Sequence, residues 1–189
     1  VAFMYYSREY KSPLGIITIV CDDNKRHIVG LWLEGQKYYM DGLDASQVIP
    51  SKSEKSGEVS DHKMDILDKA NHWLDKYFAG QNPPIGELSL KPEGTAFRQE
   101  VWSILMNIPY GQVTSYASIA RQVAKNLGRE SMSAQAVGGA VGHNPISIII
   151  PCHRVLGRHG DLTGYAGGLD KKIWLLDHEG VSVRNTSLD

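Results

Sequence analysis

Residues 133–157 read SAQAVGGAVGHNPISIIIPCHRVLG, and two structural elements can be predicted in this stretch. The first is a helix of Ala, Val and Gly, which begins at Ser133 and ends at Asn144-Pro145. The second is a short buried strand, Ile148–Ile150, which ends at Pro151 because proline has no N–H group to donate to a sheet. The residue after Pro151 is therefore expected where a strand leaves the core.

The segment TSYASIARQVAKN, which precedes this stretch, predicts another short helix with Thr114 or Ser115 as its N-cap. Two short helices joined by a turn are typical of a helix-turn-helix. The small residues of the second helix allow close approach to a neighbour, either a sheet of the same protein or a nucleic acid. A helix that reads DNA bases normally presents Arg, Asn or Gln, and this one has only Gln135, with Asn144 at its end. Such a helix fits the reading of DNA backbone and shape better than the reading of base sequence.

Cys152 follows Pro151 directly and has His153 and Arg154 behind it. A nucleophilic cysteine needs a cation, a histidine or a helix end that stabilises its thiolate, and these two neighbours qualify. Glu179, in the segment DHEG, could orient His153 through the second ring nitrogen. A buried core thiol is the competing interpretation, because the preceding isoleucines are apolar. Zinc is disfavoured because no CxxC or HxxxH pair accompanies the cysteine, and a cysteine protease would want its cysteine at a helix start.

The composition of the 189-residue chain is that of an ordinary globular protein, with 42% hydrophobic and 22% charged residues. The formal net charge is −1, and residues 96–180 carry 8 Lys and Arg against 6 Asp and Glu, so no strongly basic surface is expected. If DNA is a partner, the expected affinity is moderate and salt-sensitive. No apolar run approaches a membrane span and the N-terminus does not resemble a signal peptide, so we expect a cytoplasmic protein with two reduced cysteines, Cys21 and Cys152.

The first half of the chain predicts strands followed by a helix. GIITIVCDD and HIVGLWLEG predict strands separated by a turn at residues 22–24, and SPLG at residues 12–15 predicts a turn before the first strand. A polar loop is expected from Ser46 to Ser60. The helix after it should have these residues on its apolar face and end at Gly80: Met64, Leu67, Ala70, His72, Trp73 or Leu74, and Phe78. Residues 81–94, QNPPIGELSLKPEG, resemble an interdomain linker.

The second half of the chain predicts mostly helices. TAFRQEVWSILMNIP predicts an amphipathic helix with Thr95 as its N-cap and Pro109 beyond its end. After the stretch around Cys152, DLTGYAGGLDKK predicts a glycine-rich loop. The last predicted helix, KKIWLLDHEG, ends at Gly180.

Four segments of this half carry a resemblance to a known family. IPCHRV, preceded by AVGGAVGHNP and followed by GYAGG and WLLDHEG, resembles the O6-alkylguanine-DNA alkyltransferases, also called methylated-DNA–protein-cysteine methyltransferases. The resemblance runs from about Phe97 to Gly180 and is looser in the N-terminal part. It implies an α/β fold in two parts: a small N-terminal ribonuclease-H-like α/β domain at residues 1–91, and a mostly helical helix-turn-helix domain, winged-helix-like, at residues 92–189.

The resemblance also implies an activity and the residues that perform it. Cys152 would take the alkyl group from guanine O6, and possibly from O4-alkylthymine, in one displacement that does not regenerate the thiol. His153, supported by Glu179, would remove the thiol proton through a water molecule. Tyr116 corresponds to the tyrosine that donates to guanine N3, and Asn144 to the asparagine that braces the turn behind the cysteine.

The residues that would hold the guanine follow from the same resemblance. The backbone carbonyls of Cys152 and Val155 would accept hydrogen bonds from its amino group, and the backbone N–H of Ala166 would face O6. Tyr165 would form a wall of the alkyl pocket, whose width would also depend on Val141.

The expected partner is double-stranded DNA with an alkylated base, bound through the minor groove and with the damaged base flipped out. Gln135 stands where the family has an arginine that fills the vacated space, and it lacks the charge and planar stacking of a guanidinium. The further residues expected at the DNA are Ser133, Ala134, Gly138 and Arg154. We expect a monomer with no cofactor, no membrane contact and no metal.

Zinc is held by some family members with two cysteines and two histidines. Here Cys21 and His27 lie near two such positions, and Cys21 is more simply a buried strand residue. Two rival functions remain: a sensor that flips damaged bases without accepting the alkyl group, and a DNA-binding regulator that responds to alkylation. Such sensors lack the cysteine that stands at position 152, and the chain shows no additional domain for regulation.

Overall fold

The computed structural model describes residues 3–52 and 64–183. The chain divides into two compact units, Val1–Glu93 and Gly94–Asp189. In the described residues, no helix combines the length and the apolar character needed to cross a membrane.

The first unit contains a four-stranded sheet in the order β3-β2-β1-β4. The strands are β1 (Tyr5–Ser12), β2 (Gly15–Cys21), β3 (Ile28–Leu33) and β4 (Val48–Pro50). The strands β1, β2 and β3 pair antiparallel, and β4 lies parallel to β1. The two apolar segments predicted as strands are therefore β2 and β3.

Two strands of this sheet were not predicted. The only fully buried side chain of β1 is Arg8, which pairs with Asp65 and Asp68, so β1 shows no apolar alternation. The strand β4 is three residues long and lies within the loop expected from Ser46 to Ser60, so that prediction was wrong at residues 48–50. Residues 53–60 of that loop lie outside the described residues.

The helix α1 (Ile66–Phe78) follows these strands and contacts β1 and β2. Its N-cap is Asp65, whose side chain accepts a hydrogen bond from the Asp68 N–H. Met64 therefore precedes the helix, and His72 is exposed rather than part of the apolar face. The buried side chains of this helix are Ile66, Leu67, Ala70, Trp73, Leu74 and Tyr77.

The predicted linker, residues 81–94, is largely bound to the first unit. The Ile28 N–H donates to the Ser89 carbonyl and the Lys91 N–H to the Ile28 carbonyl, both at 2.8 Å. Trp73 Nε1 donates to the Pro84 carbonyl at 3.0 Å. The segment is therefore an edge of the first unit rather than a free connection.

In the described residues of the second unit there are four α-helices and a two-stranded parallel sheet: α2 (Ala96–Leu105), β5 (Thr114–Ser115), α3 (Tyr116–Asn126), α4 (Ala134–Gly142), β6 (Val155–Leu156) and α5 (Leu169–His178). Thr95, Ser115 and Ser133 each cap a helix by accepting the N–H three residues on. Trp102 of α2 donates Nε1 to the Ala140 carbonyl of α4 at 2.9 Å, which fixes α4 against the core.

The predicted strand Ile148–Ile150 is a buried turn. Ile148 has a left-handed backbone, φ 69, which a strand does not contain and a β-branched residue rarely adopts. An apolar run of three residues is compatible with a strand or a turn, and here the side chain of Asn144 selects the turn. Cys152 consequently begins a short 3₁₀ helix, Cys152–Arg154, instead of following a strand.

Candidate active site and DNA-binding surface

The thiol of Cys152 is buried, with 5% of the residue exposed. Burial raises the pKa of this thiol, while a hydrogen bond from Asn144, the positive charge of Lys172 and a hydrogen bond from Tyr165 act in the opposite direction. The raised pKa means that the thiol is protonated at rest. Its activation as a nucleophile therefore needs a base.

His153 is the candidate for this base. Its Nε2 lies 2.8 Å from Oε2 of Glu179, and both side chains are fully buried. Burial lowers the pKa of His153, and the hydrogen bond to Glu179 does not reverse this shift, so the ring is neutral near pH 7. Because the carboxylate accepts the Nε2 proton, Nδ1 carries the free electron pair, and it has no hydrogen-bond partner in the described part of the chain.

Glu179 is kept ionised by two partners. Burial raises the pKa of its carboxyl, but hydrogen bonds and charge from His153 and Arg154 outweigh burial and hold the pKa below its usual value. Arg154 donates Nε to Oε1 at 2.9 Å and Nη1 to the Ile108 carbonyl at 2.7 Å, and its guanidinium lies over the Tyr110 ring.

The prediction that Arg154 contacts DNA was wrong. The residue is 6% exposed, and its guanidinium is engaged with Glu179 and Ile108. The charge of Arg154 acts on the carboxylate that orients His153, rather than on the thiol of Cys152.

Asn144 holds the turn that leads to Cys152. Its Nδ2 donates to the Ile150 carbonyl at 2.8 Å and to the Ile146 carbonyl at 3.3 Å, while its Oδ1 accepts the Ile146 N–H at 3.0 Å. These bonds support the left-handed backbone of Ile148 between them.

Lys172 is a buried residue of the site that the sequence motifs did not predict. Its Nζ donates to the carbonyls of Val155 at 2.6 Å, Thr163 at 3.2 Å and Gly164 at 3.2 Å, and burial lowers the pKa of Lys172 to about 8. It thus connects β6 to the glycine-rich loop and brings positive charge to Cys152. Helical spacing could have found it, because positions 175, 176 and 179 lie three, four and seven residues further on and are also buried.

Tyr116 is the first residue of α3, and its hydroxyl donates to the Thr163 carbonyl at 3.4 Å. Burial raises the pKa of Tyr116 to about 12, so the phenol remains a hydrogen-bond donor at neutral pH. The residue lines a cavity of about 830 Å³, which is also lined by Gln135, Gly138 and Thr163.

The four residues expected around the guanine lie on three elements. Val141 is buried on α4, Val155 is buried on β6, and Tyr165 and Ala166 are half-buried on the glycine-rich loop. The structure brings Tyr165 to the Cys152 sulfur, and the Val155 carbonyl accepts a hydrogen bond from Lys172. None of these four residues lines the 830 Å³ cavity beside Tyr116.

The glycines of α4 lie on its outer face. Val137, Ala140 and Val141 are its buried residues, whereas Gln135, Gly138 and Gly139 share the other side at helical spacing. A Cβ added at Gly139 would meet nothing within 4 Å, and one at Gly138 would reach only the Tyr116 ring, at 3.9 Å. Close packing within the protein therefore does not require these glycines. Ser133 and Ala134, expected at the DNA, are exposed at the start of the same helix.

In the first unit, the thiol of Cys21 is buried, which raises its pKa to about 12. His27 Nδ1 lies 2.6 Å from Asp22 Oδ2. Within residues 3–52 and 64–183, no group of three or more His, Cys, Asp or Glu side chains could hold a metal ion.

Both units match known protein families. Residues 4–92 match the family model described as 6-O-methylguanine DNA methyltransferase, ribonuclease-like domain, and residues 96–181 match 6-O-methylguanine DNA methyltransferase, DNA binding domain. This chain belongs to the 6-O-methylguanine DNA methyltransferase family. The predicted family and fold class, a ribonuclease-H-like α/β domain followed by a mostly helical helix-turn-helix domain, are confirmed.

Relatives in this family match nearly the whole chain. The methylated-DNA–protein-cysteine methyltransferase of Salmonella typhimurium is 44% identical over 170 residues, which cover 89% of this chain and 92% of the relative. That of Methanosarcina acetivorans is 40% identical over 180 residues, covering 94% and 99%. The crystal structure of Mycobacterium tuberculosis OGT in complex with DNA has a TM-score of 0.73 and 35% identity, covering 92% of each chain.

Proposed function

We propose that this chain repairs DNA by transferring the alkyl group of O6-alkylguanine to the thiol of its own Cys152, once per molecule. The observation that carries the proposal is the buried pair of His153 and Glu179 beside that cysteine, with Nδ1 of the neutral histidine free to accept a proton. Membership of the family supports this activity, which is that of a methylated-DNA–protein-cysteine S-methyltransferase.

The reaction is a single displacement. His153 takes the proton of the Cys152 thiol through a water molecule, and Glu179 stabilises the resulting imidazolium. The sulfur forms a bond to the alkyl carbon while the bond from that carbon to O6 breaks. Tyr116 donates its proton to N3, so the guanine leaves as a neutral base, and the proton held by the His153 imidazolium passes through water to the Tyr116 phenolate. No group in the described site is placed to cleave a thioether, and each chain therefore reacts once.

The guanine must leave the DNA stack to reach Cys152, at a cost of a few kcal/mol. The outer face of α4 fits the minor groove because its residues are small, and Gln135 at its start is long enough to occupy the vacated space. Lesioned double-stranded DNA is the partner of one protein monomer.

We also propose that the two domains are residues 1–91 and residues 92–189. The alkyl pocket is bounded by Val141, Tyr165 and Ala166, and O4-alkylthymine is proposed as a second substrate. The reaction takes place in the cytoplasm, since a protein that consumes a free thiol needs a reducing compartment.

The test is mass spectrometry of the protein after incubation with duplex DNA that contains O6-methylguanine. The expected result is the gain of one methyl group on the Cys152 peptide, saturating at one per chain. Cys152→Ala should abolish the gain, and Cys21→Ser, the matched control at the other thiol, should not. A wild-type chain that binds the lesion and remains unmodified would instead identify a sensor, and turnover beyond one equivalent would exclude the single displacement.

A further inference from the structure

Four cations near α4 take no part in the proposed chemistry. They are Arg121, Lys125, Arg129 and Arg158. All four side chains are exposed, and none forms an ion pair with any residue that the structure describes. Their charge is therefore available to an external anion.

These cations lie along two connected cavities. The 830 Å³ cavity beside Tyr116 is lined by Arg121 of α3 and by Arg158 of the loop after β6. A second cavity of about 410 Å³ is lined by Arg121, Lys125 and Arg129. The cavities share three lining residues, Ala117, Arg121 and Ala134, and so form one continuous groove.

The groove has a strongly one-sided charge. Its two cavities are lined by four cations and one anion, Glu130. Gln135, which lines the first cavity near the start of α4, contributes no charge. A neutral side chain does not attract phosphate as a cation does. The four cations of the groove supply that attraction.

We propose that Arg158, Arg121, Lys125 and Arg129 form a cationic track that binds phosphates of the DNA strand carrying the flipped nucleotide. The inference rests on the proposed function, because Tyr116, which lines the first cavity, is the proposed donor to the flipped guanine. Phosphate contacts fix the register of a protein on DNA and carry no sequence information. The track therefore positions the lesion strand beside Tyr116 for any surrounding sequence.

The test uses the full chain with Arg121→Gln, Lys125→Gln, Arg129→Gln and Arg158→Gln, singly and together. Binding to O6-methylguanine duplex is measured over a salt series in the Cys152→Ala background, where no transfer occurs. Each lost phosphate contact should lower the slope of log affinity against log salt by about 0.9, and the fourfold variant by between about 3 and 4. The loss should be the same for duplexes of different sequence.

Lys69→Gln is the matched control, because it removes one exposed positive charge from α1 and lines neither cavity. Its slope should equal that of the parent protein. With Cys152 intact, the Lys69→Gln control should gain one methyl group as the wild-type chain does, whereas the track variants should need a higher DNA concentration for the same extent of methylation. An unchanged slope in the four single variants would overturn the track alone, whereas failure of the wild-type chain to become methylated would overturn the proposed function.

Discussion

The Tyr116 side chain is half-buried and the Cys152 thiol is buried, and loss of solvent raises the pKa of each. A phenol with a pKa of about 12 stays protonated at neutral pH and therefore remains a hydrogen-bond donor. Its O–H is thus in place to donate to guanine N3 when negative charge develops on the guanine, as the bond between the alkyl carbon and O6 breaks. The neutral ring of His153, in turn, is the group able to accept the thiol proton.

Tyr116→Phe should slow transfer more than it weakens binding. Charge develops on the guanine mainly during the displacement, so the hydroxyl is needed most in the transition state. The cost should be on the order of 1–3 kcal/mol, which is roughly a 5- to 150-fold lower rate constant. The measurement is the single-turnover rate at saturating duplex, with Kd determined separately. Tyr10→Phe, which removes a hydroxyl bonded to Asp75 in the first unit, is the control. Equal rate constants for Tyr116→Phe and wild type would refute the role.

At the level of single residues, the sequence predicted best the side chains that belong to a recognisable motif. The motif around Cys152 indicated His153 and Glu179, and the structure brings these two side chains within 2.8 Å. It could not indicate that Arg154 turns inward to the carboxylate, because adjacency along the chain does not specify side-chain direction. Lys172 was missed because a lysine is rarely fully buried, although three backbone carbonyls satisfy this one.

At the level of elements, α4 combines a buried apolar side with an outer side of Gln135, Gly138 and Gly139. Glycine in a helix costs about 0.5–1 kcal/mol relative to alanine. This cost has no compensation in internal packing, since added Cβ atoms would meet no close neighbour. In the proposed function, these glycines give α4 an outer surface that DNA can approach closely, at a cost to the stability of the free protein.

Gly138→Ala should therefore change stability and binding in opposite directions. The free protein should become more stable by about 0.5–1 kcal/mol, because the new methyl group makes only an ordinary contact with Tyr116. Affinity for duplex should fall, because that methyl group lies on the surface that meets the groove, while affinity for a single-stranded substrate should change less. Thermal unfolding and fluorescence anisotropy measure the two effects. A variant with raised stability and unchanged duplex affinity would remove α4 from the interface.

Elements with local signals were predicted and elements without them were not. Thr95, Ser115 and Ser133 cap helices because a side-chain oxygen at that position accepts a backbone N–H, which is a property of local sequence. The turn at Ile148 depends on Asn144, a partner outside the isoleucine run. The short strand β4 is specified by pairing with β1 and has no pattern of its own.

At the scale of the whole molecule, the net charge of −1 conceals a local concentration of cations. Composition predicts no broadly basic surface, but a net charge for the whole chain does not reveal the local positive charge of the groove lined by Arg121 and Arg158. The two-part α/β and helical fold was predicted because its apolar strands and capped helices separate along the chain. The first strand, β1, was missed because its buried position is a charged residue, Arg8, satisfied by a distant helix.

Methylation of Cys152 should destabilise the protein that has completed its reaction. The sulfur lies in a site that is 5% exposed, so a methyl group must be accommodated by a packed interior, at a cost of about 1–3 kcal/mol. The thioether also loses the acidic S–H group, and it is a weaker acceptor for Asn144 and Tyr165. At about 2–4 °C for each kcal/mol, the melting temperature should fall by several degrees.

Hydrogen exchange should locate this change, because the described partners of Cys152 all belong to the second unit. Amides at residues 144–156 should exchange faster after reaction with O6-methylguanine duplex, while those of β2 and β3 should keep their protection. Protein incubated with unmodified duplex is the control. An unchanged melting temperature in the fully methylated protein would show that the interior around the thiol accommodates a methyl group without loss of stability. The methylated and the unreacted protein would then be equally stable, and only the chemical stability of the thioether would limit each chain to one turnover.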